Sequence, residues 1–393
     1  MAAPTHISDP NQTIDLQQQV ARLQALLEAS RHVHSTISEE EVLRSVLRIV
    51  VRELEMAGAA FPGTGRAYGE IPDADGALPR FPLNDRDSHA MTELVVAPPD
   101  GRALTLYESD FLEGLALQAA VALENARNHK RNIEFARLQQ DLDAARNIQR
   151  SLLPQHLPSV PGYSLGFKSN TCYEVGGDYL DIVELSGGDL LLVVADVAGK
   201  GLASAIVSTA FRAAFRAVAV SGLSLAEIAT RMNQHHWAEG EESRRRYVTA
   251  IFARLNLAAG ELETVNAGHN PGYVLLPDGT LHQFEAVGTP LGLLPGMSYS
   301  SERLPFPPGS RLLFYTDGLT EAFHGEEEFG SERLLSNFSQ YQSAKADDIL
   351  VALWAAIEEF VAGSPQADDM TALVLSRVES NPSGLNGSGE IPA

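Results

Sequence analysis

Cysteine is almost absent from this chain of 393 residues: Cys172 stands alone, which excludes an intramolecular disulfide and any cysteine-rich zinc site. Its apolar neighbours mark it as a packed structural residue. Basic side chains are also scarce. Against 51 Asp and Glu there are 29 Lys and Arg, a net charge of −22, so a long phosphate backbone would be repelled and nucleic acid is not an expected partner. Long apolar runs are missing too. No stretch approaches the roughly 18 uninterrupted apolar residues of a membrane span, and the first residues hold no apolar signal core. The expectation is a cytoplasmic, bacterial protein without membrane insertion. The 44% hydrophobic content is ordinary for globular protein, and the length allows two or three domains, each with its own core.

What the chain does have is a set of aspartates where buried strands should end. Asp178 and Asp181 lie in Glu174-Val-Gly-Gly-Asp-Tyr-Leu-Asp181, and Asp196 follows the apolar run Leu190 to Ala195. Asp317 follows Leu312-Leu-Phe-Tyr-Thr316, and Asp368-Asp369 precede Met370-Thr-Ala-Leu-Val-Leu375. Several strands ending together bring distant carboxylates close, and such a cluster needs cations to stay ionised. Hard oxygen ligands suit Mg²⁺ or Mn²⁺, and two such ions about 3.5–4 Å apart activate a water and neutralise a phosphoryl oxygen. Metal-dependent phosphoester hydrolysis is the reading that follows.

The segments Gly176-Gly-Asp-Tyr-Leu-Asp181, Asp196-Val-Ala-Gly-Lys-Gly201, Asn266-Ala-Gly-His-Asn-Pro271, Gly288-Thr-Pro-Leu-Gly-Leu293, Thr316-Asp-Gly-Leu-Thr-Glu-Ala322 and Asp368-Asp-Met-Thr371 resemble, in order, the motifs of the PP2C-like (PPM) serine/threonine phosphatases in their bacterial SpoIIE and RsbU branch. The resemblance implies an α/β (α+β) fold for residues 154–377, a sandwich of two β-sheets flanked by helices. It implies two Mn²⁺ or Mg²⁺ ions held by Asp178 (through water), Asp196 (bridging both), the Val197 carbonyl, Asp317 and Asp368, with Asp196, Asp317 and Asp368 as the catalytic set. Asp369 takes a supporting role, and Asp181 is expected to accept hydrogen bonds behind the ligands or to serve as a turn residue. The implied substrate is a phosphoserine or phosphothreonine of a STAS-type anti-sigma-factor antagonist. Related eukaryotic enzymes carry a histidine after the bridging aspartate and an upstream phosphate-binding arginine. This chain has Ala198 and Lys200 there, leaving the general acid and the phosphate anchor unassigned. Gly199-Lys200-Gly201 is not a Walker motif, since Val194 replaces its first glycine and no Ser or Thr follows the lysine.

Other candidates read as structural. His269, in a Gly-Asn-Pro turn, is expected to fix that turn, and Arg244-Arg245-Arg246 is expected to be a solvated run. Two rival functions remain: a regulatory adaptor with little turnover, against which the intact aspartate set argues, and a hydrolase of small phosphoesters or nucleotides, for which no base-stacking motif is present.

Upstream, residues 1–15 read as a disordered lead-in and 378–393 as a disordered tail. Leu16, Val20, Leu23 and Leu27 predict an amphipathic helix, and Ser38-Glu-Glu-Glu41 predicts a capping box for a second. Leu112, Leu115, Ala119, Ala122 and Ala126 form a heptad seam of small residues, continued by Leu138, Leu142 and Ala145. The order of pieces over residues 16–128 resembles a degenerate, dimerising GAF domain. Residues 129–153, lacking Gly and Pro, read as a coiled linker helix that Pro154 stops. A parallel homodimer is expected.

Overall fold

The structure, a computed structural model, describes residues 24–72, 78–341 and 345–378. The lead-in, the positions Leu16, Val20 and Leu23, and the tail from 379 lie outside the described residues. The chain divides into two compact units, Met1–Gln139 and Gln140–Ala393.

The first unit is a small α+β module, as its Gly/Pro-punctuated text implied. It contains α1 (24–33), α2 (Glu39–Arg52), β1 (Gly58–Phe61), β2 (Arg66–Gly69), β3 (Arg80–Asn84), β4 (Ala90–Ala97) and the part of α3 (Leu106–Leu152) up to Gln139. The strands form an antiparallel sheet in the order β2-β1-β4-β3. Helix α2 buries Val42, Leu43, Val46, Leu47, Ile49 and Val50 on one stripe, and its first turn carries Glu39, Glu40 and Glu41, which suit the positive end of the helix.

Three local expectations fail here. Ser38 makes no side-chain cap; the Thr36 hydroxyl donates to the Glu41 carboxylate, so the nearer partner captured the group the box required. Leu27 is 57% exposed, and α1 turns Ala29 and Val33 inward instead. Most consequential, Leu112, Leu115, Ala119 and Ala122 pack into this unit's own core with Val46, Phe61, Phe81 and Leu94. That half of the seam is satisfied within the chain and needs no partner copy.

The second unit holds β5 (Tyr163–Asn170), β6 (Tyr179–Glu184), β7 (Leu190–Val197), α4 (Leu202–Ala219), α5 (Leu225–Ala238), α6 (Glu241–Arg244), β8 (Val248–Asn256) and β9 (Glu261–Ala267). It continues with β10 (Gly272–Leu275), β11 (Leu281–Phe284), β12 (Glu302–Pro305), β13 (Arg311–Tyr315), β14 (Phe323–His324), β15 (Glu327–Glu328), α7 (Gly330–Gln340), α8 (Ala346–Val361) and β16 (Met370–Arg377). Two five-stranded antiparallel sheets, ordered β11-β10-β13-β16-β5 and β12-β9-β8-β7-β6, form the body.

The strands read as unbroken apolar runs because both faces are covered. In β7, Leu190, Leu192 and Val194 enter the core between the sheets, while Leu191, Val193, Ala195 and Val197 face a second core with Phe211, Phe215 and Ile228 of α4 and α5. In β16, Leu373 and Leu375 join the inter-sheet core, and Ala372 and Val374 pack with Leu350, Leu353 and Trp354 of α8. The result is helices, sheet, sheet, helices, as expected. Among the described residues one helix, Leu202–Ala219, is long and apolar enough by length and composition to cross a membrane; its Phe211 and Phe215 lie in a protein core.

Candidate metal centre

The period of two along a strand decides which aspartates meet. Leu180 and Ile182 of β6 and Val194 of β7 point between the sheets, so Asp178 and Asp196, two residues before and after, lie on the same face. Tyr179 pairs with Ala195 across the ladder, which makes the two carboxylates neighbours. In the other sheet Tyr315 pairs with Ala372, which sets Asp317, just past β13, beside Asp368 and Asp369, just before β16. Four strand ends from two sheets thus deliver these acids to one end of the inter-sheet core.

Asp178 is buried, and its Oδ2 accepts the Thr316 hydroxyl at 2.8 Å. Burial and the nearby Asp196 hold its carboxyl well above the usual range. Asp196 is pushed up to about 7 by burial and by Asp317, Asp368 and Asp369. Asp317 is raised by burial and by Asp368. Acids that raise one another in this way would be relieved by a nearby cation.

Asp369 has another job. Its Oδ1 accepts the Cys172 amide and its Oδ2 the Gly177 amide, both at 2.7 Å, so it staples the loop that carries Asp178. Asp368 instead faces outward to the Lys200 ammonium at 2.7 Å. Glycines make the closeness possible. A methyl on Gly176 would stand 2.3 Å from Asp369 Oδ2, one on Gly177 2.9 Å from the Val197 carbonyl, and one on Gly318 2.0 Å from the Asp369 carbonyl.

The donors gathered here are carboxylates and a carbonyl, the hard oxygen set that Mg²⁺ or Mn²⁺ prefers, so the residues fit such ions in chemistry. Among the described residues no three His, Cys, Asp or Glu side chains already close around one point.

Beside Asp196 and Asp317 opens a cavity of about 130 Å³, lined also by Ala198, Tyr247, Thr249, His269 and Asn270. His269 Nε2 meets the Tyr315 carbonyl at 3.0 Å and therefore donates, leaving Nδ1 to accept the Thr249 hydroxyl at 2.9 Å. Burial lowers its pKa to about 4. The ring is a neutral cross-link between strands, the structural role its turn implied.

Asp181 departs from expectation. It is fully buried under a bidentate clamp from Arg216 of α4, at 2.6 and 2.7 Å, with the Tyr179 hydroxyl donating at 2.6 Å. It ties helix to strand and accepts nothing from the acid cluster, because β6 turns odd-numbered residues toward α4. Arginine in an otherwise apolar helix was the available signal.

The end of α3 was expected as a linker helix, but its contacts had no local signal. Gln149 exchanges two hydrogen bonds with the Gly176 backbone, at 2.7 and 3.1 Å, Arg146 Nε donates to the Glu174 carbonyl at 2.8 Å, and Arg212 Nε of α4 donates to the Leu152 carbonyl at 2.9 Å. The run Arg244–Arg246 is spoken for: Arg244 stacks on Trp237, and Arg245 and Arg246 pair with Glu241 and Glu242.

Residues 186–378 match the family described as Stage II sporulation protein E (SpoIIE). Asp196, Asp317, Asp368 and Asp369 lie inside that span; Asp178 and Asp181 precede it. The chain is similar to Protein IcfG of Synechocystis sp., 27% identical over 60% of this chain and 41% of that protein. It is similar to Phosphoserine phosphatase RsbP of Bacillus subtilis, 27% identical over 46% of this chain and 45% of the relative. It also resembles Phosphoserine phosphatase RsbU of Bacillus subtilis, 24% identical over 47% and 54%. The chain thus spans about half the length of the curated relatives it matches. Among solved structures, the SiaA-PP2C domain of Pseudomonas aeruginosa superposes with a TM-score of 0.55 at 23% identity, over 63% of this chain and 99% of that one, which shows the PP2C fold.

Proposed function

Since residues 186–378 form a SpoIIE-family domain on the PP2C fold, we propose that this protein is a Mg²⁺/Mn²⁺-dependent phosphoprotein phosphatase acting on phosphoserine or phosphothreonine. The observation that carries the reading is the delivery of Asp178, Asp196, Asp317 and Asp368 from four strand ends of two sheets to one place. Two divalent ions, when bound, supply a water acidic enough to attack at neutral pH and positive charge for the phosphoryl oxygens.

The chain's own part is geometric and electrostatic. Asp196 feels Asp317 and Asp368 of the other sheet and itself acts on Asp178 of its own, and is the bridging candidate. The Val197 carbonyl stands next to it, bared by Gly177. Thr316 fixes Asp178 and Asp369 fixes the loop below it, so these two donors' backbone positions are set before any ligand arrives. Cys172 donates its thiol to the Gln366 carbonyl and burial pushes it up, so it is a poor nucleophile.

The names of the relatives RsbP and RsbU, each a phosphoserine phosphatase, support phosphoserine chemistry, and a STAS-type anti-sigma-factor antagonist in sigma-factor regulation is the proposed target. A cytoplasmic setting is part of the proposal. The first unit is proposed to be a GAF-like module that senses a signal and dimerises.

The test is hydrolysis of p-nitrophenyl phosphate and of a phosphoserine protein with Mn²⁺. Asp196→Asn and Asp317→Asn should each lose at least about 100-fold in kcat/KM, or roughly 2.7 kcal/mol, with an unchanged circular dichroism spectrum. Cys172→Ala should stay active. An Asp196→Asn protein as fast as the parent would sink the mechanism.

A further inference from the structure

Lys200 lies four residues beyond Asp196, between Gly199 and Gly201, whose φ values are +100° and +79°. A methyl on either glycine would meet nothing within 4 Å, so this loop is open, and the Lys200 side chain is 46% exposed. From there the ammonium reaches across to the segment that leads into β16 of the other sheet and donates to Asp368 Oδ2 and to the Ala367 carbonyl, both at 2.7 Å. It is the cation whose charge acts on Asp317 and Glu321. The domain's nearby guanidinium groups are engaged elsewhere: Arg216 with Asp181, Arg212 with the Leu152 carbonyl, and Arg245 and Arg246 with Glu241 and Glu242.

We propose that Lys200 is the residue that grips the phosphoryl dianion of the substrate, an inference that rests on the phosphatase reading above. Were Asp368 to give its Oδ2 to a divalent ion, the ammonium would be released from that oxygen. The lysine's flexible four-carbon stem then keeps a compact positive charge at the mouth of the site, where a phosphomonoester presents acceptor oxygens. Lys200 so exchanges one oxyanion partner for another, and its loop between two glycines in the left-handed region permits the swing.

The experiment uses the full chain as parent, Lys200→Met and Lys200→Arg. Calorimetry measures binding of Mn²⁺ and, with Mn²⁺ present, of inorganic phosphate; phosphoserine-protein hydrolysis is followed alongside. For Lys200→Met, phosphate affinity should weaken and KM should rise about 10-fold or more, the scale of a charge-assisted hydrogen bond. Its kcat should change less, and Mn²⁺ should bind as tightly as in the parent or more tightly, because Asp368 is freed. Lys200→Arg should recover part of the phosphate affinity. Equal phosphate affinity in parent and Lys200→Met would overturn the proposal; so would loss of Mn²⁺ binding in Lys200→Met, which would make the lysine a support for the metal loop. If the parent hydrolyses no phosphoester, the phosphatase reading fails, while the phosphate titration still decides the role of Lys200.

Discussion

Asp196, raised by burial and by the acids around it, sets a pH dependence whose sign is determined. Its folded pKa of about 7 lies above the ordinary carboxylate value, so the fold without metal gains from the proton. That contribution is full below about pH 4 and is lost as pH rises through about 7. In EDTA, the melting temperature of Asp196→Asn relative to the parent should therefore climb between about pH 5 and about pH 8. A flat difference would show that the acids do not crowd one another. A second residue-scale prediction concerns Gly318, where the cost is pure close approach: a methyl 2.0 Å from the Asp369 carbonyl forces backbone apart. Gly318→Ala should lose about 1–3 kcal/mol of stability in urea unfolding, and Mn²⁺ affinity should fall with it. Stability equal to the parent's would remove the claim that the turn is packed to its limit.

Helix α4 follows directly on the Asp196 loop and is held by one ion pair, Arg216 to the buried Asp181. Arg216 is 44% exposed and Asp181 not at all, so cutting the arginine strands a buried carboxylate whose remaining donors are the Tyr179 hydroxyl and a backbone amide. Arg216→Met should cost about 2–4 kcal/mol, discounted from the fully buried case for that exposure. The double variant Asp181→Leu/Arg216→Met should recover part of it in a double-mutant cycle. Purely additive losses would mean the pair is not coupled. The end of α3 holds the opposite side of the same region, since Gln149 grips the Gly176 backbone. Gln149→Ala should weaken Mn²⁺ binding several-fold in calorimetry while leaving the melting temperature nearly unchanged. The loop that Gln149 grips leads straight into Asp178, and this contact is the route by which the linker helix is proposed to bear on the acid cluster.

At the scale of the whole molecule, the linker segment keeps an exposed apolar stripe: Phe135 is 68% and Leu138 56% exposed, and a stripe of this kind is covered in coiled coils by a second helix. The proposed parallel homodimer now rests on this stretch alone, since Leu115, Ala119 and Ala122 are used inside the first unit. Light scattering at micromolar concentration should show a dimer, and Leu138→Glu should shift it toward monomer. Inserting three or four residues near Asn132 should change the rate on a phosphoprotein by altering register, whereas a fragment beginning at Gln140 should keep its metal ligands and lose regulation. The same turnover and Mn²⁺ affinity in all three would reduce the N-terminal region to a dimerisation handle.

Much of this was legible in the one-dimensional text because it depends on local physics. Strands covered on both faces must be apolar throughout, so Leu190–Ala195 and Leu312–Tyr315 announced themselves. Acids at their ends stood out against that background, and an absence of Gly and Pro marked the long helix. What the sequence by itself determined was therefore the layers, the elements and the identity of the acids. Which acids share a face was decided only by register. Tyr179 opposite Ala195 joins Asp178 to Asp196, and one residue's difference in parity sends Asp181 to Arg216 and Asp369 to the Gly177 amide. The partners of Lys200, Gln149 and the α3 seam were equally hidden, because each is separated from its contact by a stretch of chain whose path through space no local pattern encodes. Tertiary structure settled them through distance, burial and the requirement that every buried polar atom find a partner.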